Sequence, residues 1–374
     1  MKDRKLHIAV LVANLNGGGA ERMMLNLAKG LSSAGMKVEL VLTEAVGPYL
    51  SEVPENVKII DLKAPRVLKS ITALTIYLKN KKPDVLISTL SRVNVAAVIA
   101  RKLSGVKTKL LLREATTFSV ETNSELTFWN KIINFAAAKV YPYSDKIIAI
   151  SEGVYKDLIE YLKLPENKVE LIHNPVVGKD IFEKAKEPCN HPWFNDKSTP
   201  IILGVGRINP QKDFSTLVKA FSEVNKEIPS RLMILGQSDK DDTETIALYK
   251  LIEELKISDK VLFPGFVQNP FSYLSRADLF VLSSRWEGLP GALIQAIACG
   301  CPSVSTDCPS GPAEIFKNGK YGLLSPVGDY LNLANNIKEY LKNPPSKDIL
   351  IKRSLDFSIE KSIEKYKKVF IEIT

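Results

Sequence analysis

Ala277-Asp-Leu-Phe-Val-Leu-Ser-Ser-Arg-Trp-Glu-Gly-Leu-Pro-Gly-Ala-Leu-Ile-Gln-Ala-Ile-Ala-Cys-Gly300 is the stretch from which the chain is best read. Its apolar run Leu279 to Leu282, bounded by polar residues, predicts a buried strand. A Gly/Pro elbow follows. Pro290 suits the first turn of a helix opening about Gly291, and Gly300 suits its end. Glu287 falls on the elbow, just ahead of the helix. In an open parallel sheet, ligands bind beyond the carboxyl ends of strands, facing a helix N-terminus. The free N–H groups and positive partial charge there suit an anion, typically a phosphate. For an isolated turn, an ordinary connection with a solvated Glu287 is the commoner outcome. The rest of the chain must decide between the two.

Upstream, Ile201-Ile-Leu-Gly-Val-Gly-Arg207 opens a series of alternating strand and helix patterns. Strands recur at Arg231 to Leu235, Val261 to Phe263, Leu279 to Leu282 and Ser303 to Ser305. An earlier series has strands at Leu6 to Ala13, Val38 to Leu42, Val85 to Ser88, Lys109 to Leu112, Lys146 to Ile150 and Val169 to Ile172. Met23 to Leu31 and Phe128 to Val140 read as helices, and Ser151 as a helix cap. Asn16-Gly-Gly-Gly-Ala-Glu-Arg22 is the loop after the first strand. It is not a dinucleotide fingerprint, because Arg22 stands where the third glycine belongs. Gly18 and Gly19 still let the backbone approach a phosphate or sugar closely. Between the two series, residues 176–198 hold Gly178, Pro188 and Cys189-Asn-His-Pro-Trp-Phe-Asn195, and read as an irregular linker. The expectation is α/β: two Rossmann-like βαβ domains, 1–175 and 199–355, facing a cleft. The length of 374 residues, more than one core usually serves, agrees.

Apolar content of 45% and charged content of 25% are those of a folded globular protein. No run approaches the roughly 20 apolar residues of a membrane span. Met1-Lys-Asp-Arg-Lys5 runs straight into Ile8-Ala-Val-Leu-Val12 without a small-residue cleavage site, so no signal peptide and a cytoplasmic location are expected. Cys189, Cys299, Cys301 and Cys308 lack CxxC pairing and histidines at zinc spacing, which favours free thiols in a reducing compartment. The net charge of +9 implies an anionic partner. Nucleic acid is not expected, for want of an aromatic stacking motif or a compact basic helix. Residues 63–83 carry six basic residues and no acidic one, interleaved with Val67, Leu68, Ile71, Leu74, Ile76 and Leu78. That segment suits either an anionic membrane face or a solvated helix face.

Arg285-Trp-Glu-Gly-Leu-Pro290 through Gln295-Ala296, then Gly300-Cys-Pro302, resembles the signature of the retaining glycosyltransferases of family four, which have the GT-B fold. The resemblance covers nearly the whole chain. The family carries two Glu residues; Glu287 matches the first, and Gln295 stands at the second. By resemblance, the first glycine loop lies against the donor's phosphates and sugar. The final helix, about Ile359 to Phe370 within residues 356–374, crosses back onto the first domain. Family members often place a histidine near the turn after the Lys109 to Leu112 strand. Here only His7, His173 and His191 exist, so Arg113 and Glu114 are taken to line the site, with a structural ion pair as the alternative.

Gly204-Val-Gly-Arg-Ile-Asn-Pro-Gln-Lys-Asp213 places Arg207 and Lys212 after a buried strand. In the resembled family this pair contacts the donor diphosphate, commonly without a required metal, and no Asp-x-Asp motif of the metal-dependent transferase type is evident. Fixed cations aimed at the charge that grows on the leaving group act mainly on the transition state. Glu287 is expected to accept hydrogen bonds from sugar hydroxyls. Gln295 would reach the ribose without a carboxylate's charge assistance. Val267, beyond another strand, falls where the family holds the base. Glu314, in Pro309-Ser-Gly-Pro-Ala-Glu-Ile315, resembles a last donor-side contact, with a helix cap as its alternative. The expected catalytic set is Glu287, Arg207, Lys212 and Glu114. The donor-binding set is Gly18, Gly19, Arg113, Val267, Gly291, Gln295 and Glu314.

The resemblance implies a retaining transferase that moves a hexose or N-acetylhexosamine from a nucleotide-sugar, with UDP-sugar the expected donor. The acceptor would be a lipid-linked or surface glycan, met at the inner face of the cell membrane. No carboxylate nucleophile stands out, so front-side displacement is the expected route. Two rivals are a GT-B-fold sugar-nucleotide epimerase and a non-catalytic sugar-nucleotide binding protein.

Overall fold

A computed structural model describes residues 5–119, 128–236 and 242–374, without the side chains of Leu68 and of residues 128–131. Residues 1–4, on which the reading of the chain's start largely rests, lie outside the described residues. The chain forms two compact units, Met1–Val176 with Ser358–Thr374, and Val177–Phe357.

The first unit is built on seven strands: β1 (His7–Val12), β2 (Lys37–Leu42), β3 (Val57–Asp61), β4 (Val85–Thr89), β5 (Lys109–Glu114), β6 (Lys146–Ala149) and β7 (Val169–Leu171). They lie in the order β3-β2-β1-β4-β5-β6-β7, every pair parallel. All six residues of β1 are buried. Such runs are apolar on both faces because helices cover both. The helices Gly19–Ser33 and Ile359–Ile373 share one cluster with β1 and β2, in which Met24, Leu27 and Leu31 meet Ile363, Tyr366, Val369 and Phe370. Each such large apolar side chain contributes on the order of 1.5–3 kcal/mol when fully buried. Gly30 sets the approach of the two helices. A Cβ built there would stand 2.7 Å from Ile359 Cγ2 and Ile363 Cγ1. The last helix therefore belongs to the first unit although the second precedes it in the chain.

The second unit has β8 (Ile201–Val205), β9 (Arg231–Leu235), β10 (Val261–Gly265), β11 (Leu279–Leu282), β12 (Ser303–Thr306) and β13 (Leu323–Ser325), in the parallel order β10-β9-β8-β11-β12-β13. The strand order reverses between β8 and β11. That reversal opens a crevice at their carboxyl ends, the general ligand position of such sheets. Phe214, Leu217, Phe221 and Leu333 lie in the core cluster of its strands.

Residues 176–198, read as an irregular linker, contain the helix Lys179–Lys186, and from Val177 onward they fold with the second unit. Ile181 is buried, Ser275 Oγ donates to the Ala185 carbonyl at 2.8 Å, and Asn269 Nδ2 donates to that of Lys184 at 2.9 Å. The one apolar turn of this short polar helix is enough to dock it.

Within 63–83, the helix Ser70–Lys81 spends Leu74, Tyr77 and Leu78 on the unit's interior. Lys63, Arg66, Lys69, Lys79, Lys81 and Lys82 are exposed, with Ile76 at 55%. Among the described residues no helix is long and apolar enough to cross a membrane.

Candidate active site

The loops after β8 and β11 meet at the reversal point of the second sheet. Gly206 N–H donates to the Leu235 carbonyl at 2.9 Å, which turns the chain out of β8. The Lys212 stem lies over Gly206, where an added Cβ would stand 3.1 Å from Lys212 Cε. Asp213, with φ 44°, caps the helix Phe214–Asn225 by accepting from Thr216 N–H at 3.3 Å. A short polar side chain is among the few that hold this left-handed conformation at low cost.

From the β11 side, Arg285 N–H donates to the Gln211 carbonyl at 2.8 Å, Gln211 Nε2 donates to the Trp286 carbonyl at 2.9 Å, and Arg285 Nε donates to Asp213 Oδ2 at 3.0 Å. Ser283 Oγ donates to the Lys212 carbonyl at 2.8 Å. The two loops are thus laced by backbone and side-chain bonds. The result is that Lys212 Nζ donates to Glu287 Oε1 at 2.5 Å, across 75 positions of sequence. Ser284 Oγ donates to the same oxygen at 2.7 Å. Glu287 is 8% exposed, a carboxyl partnered inside the protein by an ammonium and a hydroxyl.

Arg207 is exposed and makes no hydrogen bond or ion pair with a described residue. Gly291 opens the helix Gly291–Ala298, whose first N–H groups receive no side-chain cap. Gln295 is half-buried on that helix, its amide unbonded among the described residues. Val267 is half-buried beyond β10, and Glu314 is half-buried in the helix Pro312–Phe316. The Glu314 carbonyl accepts from Arg353 Nη2 at 2.7 Å. The Cys308 thiol is pushed up to about 12 by burial, with Glu287 adding to the rise and Lys212 opposing it.

In the first unit, Gly18 precedes the helix that Gly19 begins. Tyr49 supports this loop by donating its hydroxyl to the Gly17 carbonyl at 3.1 Å. Arg22 lies over the Tyr49 ring at 3.7 Å and forks onto Glu52 at 2.5 and 2.6 Å. Burial lowers the Arg22 pKa, but Glu52 and Tyr49 together outweigh it and the net direction is upward.

Arg113 and Glu114, expected to line a site, are interior, 2% and 0% exposed. They do not bond each other, since successive strand residues point to opposite faces. Arg113 donates to Thr89 Oγ1 at 2.7 Å and to Asn174 Oδ1. Burial lowers its pKa while Tyr366 and Glu114 hold it up. Glu114 accepts from the Tyr141 hydroxyl at 2.6 Å. Both are enclosed in the interior of the first unit. Among residues the motif did not single out, Ser284, Asp213 and Gln211 orient the Lys212–Glu287 pair. Their only sequence signal is adjacency to it.

Comparison with known proteins identifies the family. Residues 17–177 match the family model of Glycosyltransferase Family 4, and residues 190–356 that of glycosyl transferases group 1. The chain is 31% identical over 347 residues to the N-acetylgalactosamine-N,N'-diacetylbacillosaminyl-diphospho-undecaprenol 4-alpha-N-acetylgalactosaminyltransferase of Campylobacter jejuni, covering 90% of each chain. It is 26% identical over 386 residues to that organism's GalNAc-alpha-(1->4)-GalNAc-alpha-(1->3)-diNAcBac-PP-undecaprenol alpha-1,4-N-acetyl-D-galactosaminyltransferase, covering 98% of this chain and 99% of the other. Among solved structures, a glycosyltransferase from Rickettsia africae superimposes with a TM-score of 0.80 at 19% identity, covering 99% of each chain. The chain belongs to the GT4-type glycosyltransferases, and its two parallel-sheet units are those of the GT-B fold. It is a glycosyltransferase.

Proposed function

We propose that the enzyme moves an N-acetylhexosamine or hexose from a UDP-sugar to a lipid-linked oligosaccharide, with retention of anomeric configuration. The observation that carries this reading is the joining of Lys212 and Glu287 at the reversal point of the second sheet, with the exposed Arg207 on the same loop as Lys212. Arg207 and Lys212 receive the donor diphosphate, helped by the uncapped helix start at Gly291. Glu287 Oε2 accepts from sugar hydroxyls, and Gln295 from or to the ribose. As the bond from C1 to the β-phosphate oxygen breaks, its electron pair moves onto that oxygen. The acceptor hydroxyl forms the new C1–O bond on the same face and passes its proton to the phosphate. The two cations stabilise the charge developing there, so no metal is required.

Support for the donor comes from a GT-B neighbour, the Anabaena protein solved in complex with UDP. Support for the acceptor comes from the two Campylobacter relatives, named for undecaprenol-linked substrates. The exposed cations of 63–83 provide electrostatic contact with anionic lipid at the inner membrane face. With Leu74 and Leu78 turned inward, that contact is by charge rather than insertion.

Incubation with each of several UDP-sugars and a polyprenyl-diphosphate-linked saccharide, in the presence of a chelator, tests the reading. UDP release that requires acceptor, with α-linked product from α-linked donor, is expected. Transfer from none of them, or inverted product, contradicts it.

A further inference from the structure

Glu287 puts its two oxygens to different uses. Oε1 is committed inward, accepting from Lys212 Nζ at 2.5 Å and from Ser284 Oγ at 2.7 Å. Oε2 accepts from no described residue, which leaves it for an incoming group. An anion that reaches Lys212 therefore meets a carboxylate as well as an ammonium. With Glu287 8% exposed and the Lys212 side chain 18% exposed, water screens that repulsion little. An intact nucleotide-sugar brings hydroxyl donors that Oε2 can accept. A spent nucleoside diphosphate brings an added negative charge and no hydroxyl at that point.

We infer that Glu287 makes the site select intact donor over spent nucleotide, by opposing the diphosphate unless a sugar comes with it. The inference rests on the proposal that Lys212 receives the donor diphosphate. It gives Glu287 a second task beside holding the sugar: it keeps the site from being blocked by its own product. The same pair partly neutralises Lys212 until a ligand competes for it, so replacement of Glu287 by a neutral isostere frees that charge for phosphate.

The test is calorimetric titration of the full chain with UDP and with a non-transferable carbon-linked UDP-sugar analogue. It compares the parent, Glu287→Gln and Arg207→Ala, each checked by thermal melting. Glu287→Gln is expected to bind UDP at least about tenfold tighter than the parent, because it removes a like charge from beside the diphosphate. Its affinity for the analogue should not rise. UDP affinity that is unchanged or lower in a cooperatively melting Glu287→Gln overturns the inference. If that variant does not fold, Glu287→Asp replaces it, because it withdraws the charge by one methylene; it should bind UDP more tightly than the parent, and equal or weaker binding overturns the inference. A parent that binds no nucleoside diphosphate, or an Arg207→Ala that binds UDP normally, defeats the donor-site proposal instead.

Discussion

Tyr141 donates its hydroxyl to Glu114 Oε2 at 2.6 Å, in an interior where both residues are 0% exposed. Asn94 extends the network, donating to the Tyr141 oxygen at 3.0 Å and to the Arg113 carbonyl at 3.1 Å. Removal of one donor leaves a buried carboxylate short of a partner, which costs on the order of 1–3 kcal/mol. Tyr141→Phe should therefore lower the stability of the first unit by about that amount in urea denaturation, with UDP affinity unchanged. Loss of UDP binding at full stability would show that Glu114 contributes to the donor site.

Asp213 joins two tasks, the helix cap and the partner of Arg285. Asp213→Ala should destabilise by about 1–2 kcal/mol, whereas Asp213→Asn, which also tolerates a positive φ and keeps the cap, should lose about half of that or less. Equal losses in the two variants, read by denaturant midpoints, would assign the cost to the ion pair.

How much of this was legible beforehand depends on what each residue contacts. β9 and β11 were bounded correctly at both ends because each is a short interior strand built on an unbroken apolar run, Leu232 to Leu235 and Leu279 to Leu282. Ser151 was identified as a cap because capping is local, and it accepts from Val154 N–H at 3.3 Å. β3 and β13 were missed. They are edge strands, and β3 leaves Lys58 and Ile59 exposed, so it carries no continuous apolar run. Lys212 and Glu287 were each singled out, but nothing in their spacing of 75 predicts that they touch. The burial of Arg113 and Glu114 was hidden for a related reason. A strand end reads as a site edge until the distant residues that enclose it, Asn174 and Tyr141, are known.

The buried thiols give the protein an alkaline limit. Burial pushes Cys299 and Cys308 from an ordinary 9.0 up to about 12, and Cys301 further still. Folded pKa values above the unfolded ones mean that stability is complete below pH 9 and is lost above it. The unfolded chain then sheds protons that the folded chain keeps, at about 1.4 kcal/mol per pH unit for each thiol. Tyr141, raised well above 10 by burial and then by Glu114, adds to the loss beyond pH 10. Urea midpoints should be flat from pH 7 to pH 8 and fall between pH 9 and 11. At pH 8, iodoacetamide should modify the part-exposed Cys189 well before the buried Cys301 and Cys308; similar rates at all three would contradict that burial.

Gly30 is the contact point of the first and last helices. Gly30→Val would press against Ile359 and Ile363 and displace the C-terminal helix from β1, with an expected loss of about 2–3 kcal/mol by overpacking. Normal thermal stability in this variant would mean that the last helix contributes little to the first unit.

The account stands most directly on the claim that the loops after β8 and β11 hold the donor diphosphate. Calorimetric titration of UDP into the parent, Arg207→Ala and Lys212→Ala, without added metal and with a chelator present, measures it. Saturable one-to-one binding by the parent, weakened roughly tenfold or more in each variant by loss of a charge-assisted contact, is the predicted result. UDP binding that survives both substitutions, or that appears only on addition of a divalent cation, would contradict the account.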